Sequence, residues 1–290
     1  MMHLHMIEIA VAAAIVYRLM YGWMGTSQCW QTRWHFALTA FVVPPLLLLA
    51  TAVAILSMGV GAAEHPFAGP LSYGLSLVFA MVAFGRWLQL SWLARRTMRA
   101  VNRSPKALIG SDKVRTVGRV MDVANVFSAQ VGVWSSELVV SQGLLDHLDE
   151  DHLDAVLAHE LGHAHYRDTF WFFWLGGLRR LTQWLPFTET LWQELLLLRE
   201  VRADRWAAQN VDSLVLAESL MSVITAPLME TEAVCAGFSC AAPQSRLAQR
   251  IDALLFESST NGVGSRRWML WEKVAIALAL SPLLTIPFHH

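Results

Sequence analysis

The chain has 290 residues, 55% of them hydrophobic and 16% charged, with a mean hydropathy of +0.40, a composition that points to the lipid bilayer rather than to an ordinary soluble domain. A net charge of −1 and a pI of about 6.8 leave no basic excess of the kind that nucleic-acid binding requires, so no nucleic-acid partner is expected. Three cysteines, Cys29, Cys235 and Cys240, are too few and too irregularly spaced for a disulfide framework, and all three are expected to be thiols.

The opening MMHLHMIEIA has no Lys or Arg ahead of its apolar run and no A-x-A site after it, so the first apolar segment is expected to be retained. Four stretches approach the roughly 20 apolar residues that cross hydrocarbon as helix. They cover residues 6–24, 36–60, 71–94 and 268–287. The second is uncharged from Phe36 to Val60, and its Pro44-Pro45 pair predicts a kink that neighbouring groups must accommodate. Arg86, in the third, is taken as the ionisable residue inside the spans, able to snorkel toward the nearer end. Trp23, Trp30, Trp34, Trp92, Trp268 and Trp271 lie near span ends, where interfacial aromatics belong.

Charge sets the orientation. The connection GAAEHPFAGP has no basic residue, whereas Arg95, Arg96, Arg99, Arg103, Lys106, Lys113, Arg115 and Arg119 follow the third span. Basic connections stay cytoplasmic, which places residues 95–267 inside and both termini outside. The basic run has no interleaved aromatics and reads as a topogenic, lipid-facing stretch.

The middle of the chain is of another kind. NVFSAQVGVW (125–134) and ELVVSQ (137–142) predict a small β-hairpin or a pair of edge strands. Asp149 to His165 predicts an amphipathic helix whose first turns carry Asp149, Glu150, Asp151 and Asp154, and a second long helix is expected from Glu189 to Asn210. TFWFFWLGGLRRLTQWLPF, near 169–187, contains Arg179-Arg180 and is expected to lie at the membrane surface rather than span it.

The first of those helices ends in His159-Glu160-Leu161-Gly162-His163, an H-E-x-x-H. Residues i and i+4 share a helix face, so both imidazoles can reach one ion, with Glu160 beside it as general base to a bound water. Zinc suits this donor set, one ion per chain. Catalytic zinc takes a third protein ligand. Glu200, in Glu200-Val201-Arg202-Ala203-Asp204, is expected to supply it, ahead of Asp168, His165, Glu189 and Glu194, and Asp204 is expected to orient a ligand histidine from behind. His165 reads as a helix-end histidine, His289 and His290 as tail residues, and Arg250 as a solvated or salt-bridged helix residue that would orient the ligand helix if it paired with Asp204. For the oxyanion, Tyr166, His165, Arg246 and Arg250 stay open.

Residues 125–204 resemble the integral-membrane gluzincin peptidases, which include the HtpX and CAAX prenyl endopeptidase group and the BlaR/MecR antirepressor group. NVFSAQVGVWSSELVVSQGLLDHL, DAVLAHELGHAHYRD and ELLLLREVRAD carry the resemblance. The RD after the motif helix, WLPF at Trp184 to Phe187 and RLAQRIDALL look most like the antirepressors, whereas Ala203 gives the E-x-x-A-D form of the HtpX-like group. Antirepressor receptors end in an extracellular penicillin-binding sensor and this chain stops at His290, so direct β-lactam sensing is not expected. The resemblance implies a bacterial inner-membrane enzyme with its active site facing the cytoplasm, and an extended substrate paired along an edge strand containing Val126, Phe127, Ser128, Ala129 and Gln130.

The expected fold is mainly α, a multi-span membrane protein with a zincin-like α+β catalytic domain carrying a small β-hairpin. Residues 1–94 would form a three-helix membrane domain, 95–267 the metallopeptidase domain and 268–290 a C-terminal span. The expected partners are a lipid bilayer and a protein or peptide substrate, in the first place a cytoplasmic repressor cleaved to switch on genes, with a membrane or lipidated protein as the alternative. Nothing in the sequence sets the oligomeric state, which leaves room for a homo-oligomer. A non-catalytic scaffold would have a damaged site, yet His159, Glu160, His163 and Glu200 are all present. A midplane transporter site needs more ionisable residues in the spans than Arg86.

Overall fold

The computed structural model describes residues 2–23, 29–60, 68–225, 246–255 and 265–288. Cys235, Cys240, His289, His290 and most of the GAAEHPFAGP connection lie outside them, as do the side chains of Trp23, Arg266, Arg267, Trp268 and Trp271. The chain divides into two compact units, Met1–Leu88 with Leu175–Leu195 and Thr260–His290, and Gln89–Trp174 with Leu196–Ser259.

In the first unit, α1 (Met2–Trp23), α2 (Trp30–Met58) and the start of α3 (Ala68–Val101) supply the three helices among the described residues that are long and apolar enough to cross a membrane. The expected fourth span is divided. An α-helix, here α10, runs over Ser265–Ala279 and a 3-10 helix over Ser281–Phe288, with Pro282 and Pro287 lacking the N–H that would continue an α-helical ladder. Cys29 is a thiol whose Sγ donates to Gln31 Oε1 at 2.8 Å.

The proline pair in α2 explains a buried charge in α1. Pro45 has no N–H to give to the carbonyl of Phe41, four residues earlier, and Arg18 Nη2 donates to that oxygen at 3.1 Å. Arg18 is fully buried and lies 5.3 Å from the centroid of the Phe41 ring. Arg86 is therefore not the sole ionisable residue within the spans, and the carbonyl that Pro45 leaves without its helical donor is met from a neighbouring helix. We expect Arg18→Met to destabilise the protein by about 1–2 kcal/mol, and Pro45→Ala to recover much of that loss by restoring the main-chain donor. A double-mutant cycle on detergent thermal melts measures the coupling, and additive effects would refute it.

The second unit is built on a sheet larger than the expected hairpin. Strands β1 (Lys106–Ile109), β2 (Thr116–Met121), β3 (Ser128–Val131) and β4 (Glu137–Ser141) lie in the order β1-β2-β4-β3. β1 with β2 and β3 with β4 are antiparallel, while β2 and β4 run parallel with Val120 opposite Val140. The basic run is accordingly not one lipid-facing stretch. Arg95, Arg96 and Arg99 close α3, whereas Arg119 lies on β2, pairs with Glu137 and donates to the carbonyls of Asn102 and Ser104.

Strand alternation gives the sheet two apolar faces. Leu138 and Val140 join Leu144, Val156, Leu157 and Leu216 in one core, and Val139 joins Ala94, Val101, Ala129 and Val131 in another. Helix α4 (Gln142–His147) starts from Ser141, whose hydroxyl accepts from Leu144 N at 3.1 Å. Helix α5 (Glu150–His165) starts from Asp149, whose carboxylate accepts from His152 N at 3.0 Å, as the acidic first turn anticipated. Buried Asp154 ties α5 to the turn after β1 by accepting from Ser111 N at 2.9 Å. Helices α6 (Asp168–Leu181), α7 (Thr188–Ala207), α8 (Ser213–Thr225) and α9 (Leu247–Leu255) follow. At 14 residues, α6 falls short of a full crossing.

Candidate metal centre

Two small residues allow α5 and α7 to meet. A Cβ on Gly162 would stand 3.1 Å from the carbonyl oxygen of Ala203 and 3.2 Å from its Cα, so the glycine inside H-E-x-x-H lets the backbones approach where both helices carry donors. That contact brings His159, His163 and Glu200 together, with one ligand atom from each within 4.8 Å of the others.

Each candidate ligand is held from behind. His163 Nδ1 donates to Asp168 Oδ2 at 2.7 Å, which leaves Nε2 bare. Asp168 is 2% exposed and pairs also with Arg202 on α7. Arg167, at φ 54°, makes the left-handed reversal that starts α6 with this carboxylate folded back on α5. Asp168, weighed from sequence as a competing third ligand, is thus the group that orients the second histidine. His159 Nδ1 stands 2.8 Å from Asp204 Oδ1 without hydrogen-bond alignment, so that contact is an electrostatic one.

Arg250, on α9, is buried rather than solvated. Its Nε donates to Asp204 Oδ2 at 2.8 Å and its Nη2 to Asp204 Oδ1 at 2.7 Å, a two-pronged grip. Arg199 Nη2 donates to Glu200 Oε1 at 2.7 Å. Burial raises the Glu200 carboxyl, but Arg199 and the two histidines outweigh it and hold the group well below the usual carboxylate range.

The donor set fits a tetrahedral metal ion. Nε2 of His159 and Nε2 of His163 face each other at 3.1 Å, and lie 3.4 and 3.6 Å from Glu200 Oε2 and Oε1. Ligands about 2.0–2.1 Å from a tetrahedral ion stand roughly 3.3 Å apart. Both Nδ1 atoms lie within 2.8 Å of carboxylates and the two Nε2 atoms converge, where two bare ring nitrogens would repel unless a proton or a cation lay between them. Burial lowers the His159 imidazole, but Asp204 and Glu200 overcome it and raise the group to about 9, so without metal a proton takes that place.

The sign of the pH dependence follows. Charged His159 supports the metal-free fold fully below its ordinary value of 6.5, and that support is lost as pH rises through about 9. Metal requires the neutral ring, so apparent affinity should fall about tenfold for each pH unit below 9 per proton displaced. Competition with a chelator between pH 6 and 9 measures this, and a flat profile would contradict it. Asp168→Asn should weaken metal binding by about 10–100-fold while leaving the three ligands in place. The same titration checks it.

Glu160 stands beside the cluster, 6% exposed. Its Oε1 accepts from Ser128 Oγ on β3 at 2.9 Å, and its Oε2 is buried without a hydrogen-bond partner among the described residues. β3 is a sheet edge, paired with β4 alone. Of the residues expected to line a substrate, Ser128, Ala129 and Gln130 lie on this strand. Val126 and Phe127 precede it and pack against the two cores.

The other candidates are elsewhere. His165 is exposed and stacks on Trp206, Glu189 pairs with Arg179, and Glu194 pairs with Arg33. Tyr166 lies under the Arg202 guanidinium, whose centre is 4.2 Å from the ring centroid.

A model of peptidase family M48 matches residues 88–255. Protease HtpX of Acinetobacter baumannii strain AYE is 31% identical over 148 residues, covering 43% of this chain and 48% of that protein, and the protein of the same name in strain SDF gives the same values. The chain spans about half the length of the curated relatives it matches.

Proposed function

The chain belongs to peptidase family M48, and on that premise we propose that it is a membrane-embedded zinc endopeptidase using His159, His163 and Glu200 as ligands and Glu160 as general base. The observation that carries this is the convergence of both Nε2 atoms and the Glu200 carboxylate, with the unpartnered oxygen of Glu160 beside them.

Bound there, zinc supplies the Lewis acidity that lowers the pKa of water and polarises a scissile carbonyl. Glu160 takes the proton of the attacking water at Oε2 and returns it to the leaving amine. Ser128 fixes the carboxylate for that task by donating to Oε1. The free edge of β3 offers main-chain donors and acceptors to an extended peptide, and Ser128 sets the scissile bond at one end of that strand. Arg250 and Asp204 hold His159 in orientation, and Asp168 does the same for His163. The basic residues after the spans favour a cytoplasmic-facing site at a bacterial inner membrane.

A membrane or lipidated protein is the favoured substrate, on the similarity to relatives named Protease HtpX. Cleavage of a cytoplasmic repressor is the second reading. It is favoured because two antirepressor-like motifs, the RD at Asp168 and the RLAQRID at Arg250, supply residues that brace the cluster. N-terminal mass spectrometry of cells carrying wild type or Glu160→Gln separates them. New termini in membrane proteins support the first reading and termini in a soluble DNA-binding protein the second, whereas bound zinc with no wild-type cleavage of any protein would sink the peptidase reading.

A further inference from the structure

A cavity of about 420 Å³ in the second unit contains none of the candidate metal-centre residues. Its charged wall is Arg95 and Arg99 on α3, its polar floor includes Ser135, and its apolar wall is Trp134, Phe173 and Trp174. The two arginines lie one helical turn apart on one face and are exposed. Among the described residues neither has an acidic partner, whereas Arg119, Arg199, Arg202 and Arg250 all do. No Asp or Glu lines the cavity.

Depth along α3 says what this charge meets. The helix has 34 residues, about 51 Å at 1.5 Å per residue, against about 30 Å of hydrocarbon. Twenty residues counted from Leu71 end at Leu90. Arg95 then lies about 7 Å further along and Arg99 about 13 Å, which is the depth of phospholipid headgroups. The aromatic exposure agrees. Trp92 is 59% exposed, Trp134 72% and Trp171 57%, large rings that suit the membrane interface better than bulk water. Gly132, at φ 127°, makes the sharp turn before Trp134, and a Cβ there would strike the carbonyl of Ser135.

We propose that this cavity binds the headgroup of an anionic phospholipid, with the phosphate on Arg95 and Arg99 and the glycerol and first acyl carbons along Trp134, Phe173 and Trp174. An acidic stretch of substrate would satisfy the arginines but not account for the exposed tryptophans at headgroup depth. The site is independent of the metal centre, so it stands or falls apart from the peptidase reading.

The test is native mass spectrometry of the delipidated full chain in neutral detergent, titrated with phosphatidylglycerol, phosphatidylcholine or inorganic phosphate. Wild type should retain one phosphatidylglycerol in preference to phosphatidylcholine, and millimolar phosphate should not displace it. Arg95→Gln with Arg99→Gln should weaken retention about 25-fold, two factors of about five, with melting temperature and metal content as wild type. Trp134→Ala, which removes an exposed side chain the fold does not need, should weaken it about fivefold even if the double variant folds poorly. Equal retention of the two lipids, displacement by inorganic phosphate, or unchanged binding by both variants would overturn the proposal. So would unchanged lipid binding with a raised KM for acidic peptides, which would make the cavity a substrate subsite.

Discussion

Glu160→Gln will lower kcat/KM for peptide hydrolysis by about a thousandfold or more while leaving one metal ion per chain. Glutamine keeps the shape of the side chain, and its amide oxygen still accepts from Ser128 Oγ, so the rotamer that the 2.9 Å bond holds is preserved. What is lost is a carboxylate oxygen able to take a proton, and Oε2 is the one without a hydrogen-bond partner among the described residues. Because Glu160 is not among the three converging ligand residues, metal binding should not follow activity down. Ser128→Ala separates orientation from proton transfer and should reduce kcat by no more than about tenfold, since the base itself survives. Steady-state kinetics with metal analysis of the same preparations decides the matter. Residual activity within tenfold of wild type would remove Glu160 from the role of base, and metal loss in step with activity would make it structural.

Arg250→Leu is expected to cost about 3–5 kcal/mol of stability. Asp204 is 1% exposed and receives two hydrogen bonds from this one guanidinium. Burial raises the Asp204 carboxyl, and Arg250 outweighs burial to hold it below its ordinary value. Without the arginine, the carboxylate is either an unpaired buried charge or a protonated acid that no longer attracts the His159 ring. Metal affinity should therefore fall as well, by about 10–100-fold. Arg250→Lys should recover little, because a single ammonium cannot reproduce the two-pronged contact. Adding Asp204→Asn to Arg250→Leu should restore part of the stability, because the buried charge is gone, but not the metal affinity. Thermal melts with and without chelator measure both quantities. A loss of less than about 1 kcal/mol for Arg250→Leu would show that the pair is incidental to the fold.

The ligand pair was legible because it is local. Positions i and i+4 of one helix share a face whatever surrounds them, so H-E-x-x-H on a well-capped amphipathic segment already implies two converging imidazoles, and Asp149 and Asp154 mark its start. Glu200 was expected as a third donor from the need for one and from its spacing to Asp204, and its carboxylate is the one that lies with the two histidines. The sheet was half legible. β3 and β4 are neighbours in sequence and show β-branched runs, whereas KALI and TVGRVM are short strands inside a basic run whose charge dominated the reading. Their place depends on a parallel pairing of β2 with β4 across 15 intervening positions, between Met121 and Glu137, which no local pattern records. Asp168 was visible as a carboxylate near the motif, but its role turns on the left-handed Arg167 between the two helices. The role of Arg18 was missed. The proline pair announced an orphaned carbonyl, yet only the packing of α1 against α2 shows which donor answers it.

Composition, apolar run length and helical spacing thus determined by themselves that the chain has helices long and apolar enough to cross a membrane and that His159 and His163 share one helix face, because these are properties of single helices. The tertiary structure alone decided how the centre is braced. The contact of Gly162 with Ala203 sets the distance between ligand helices, and Asp168, Arg199 and Arg250 arrive from the start of α6, from α7 and from α9 to hold the donors in register. The physical reason is that a buried charge is tolerable only beside its counter-charge, and the chain can bring those partners together only after the helices that carry them have packed.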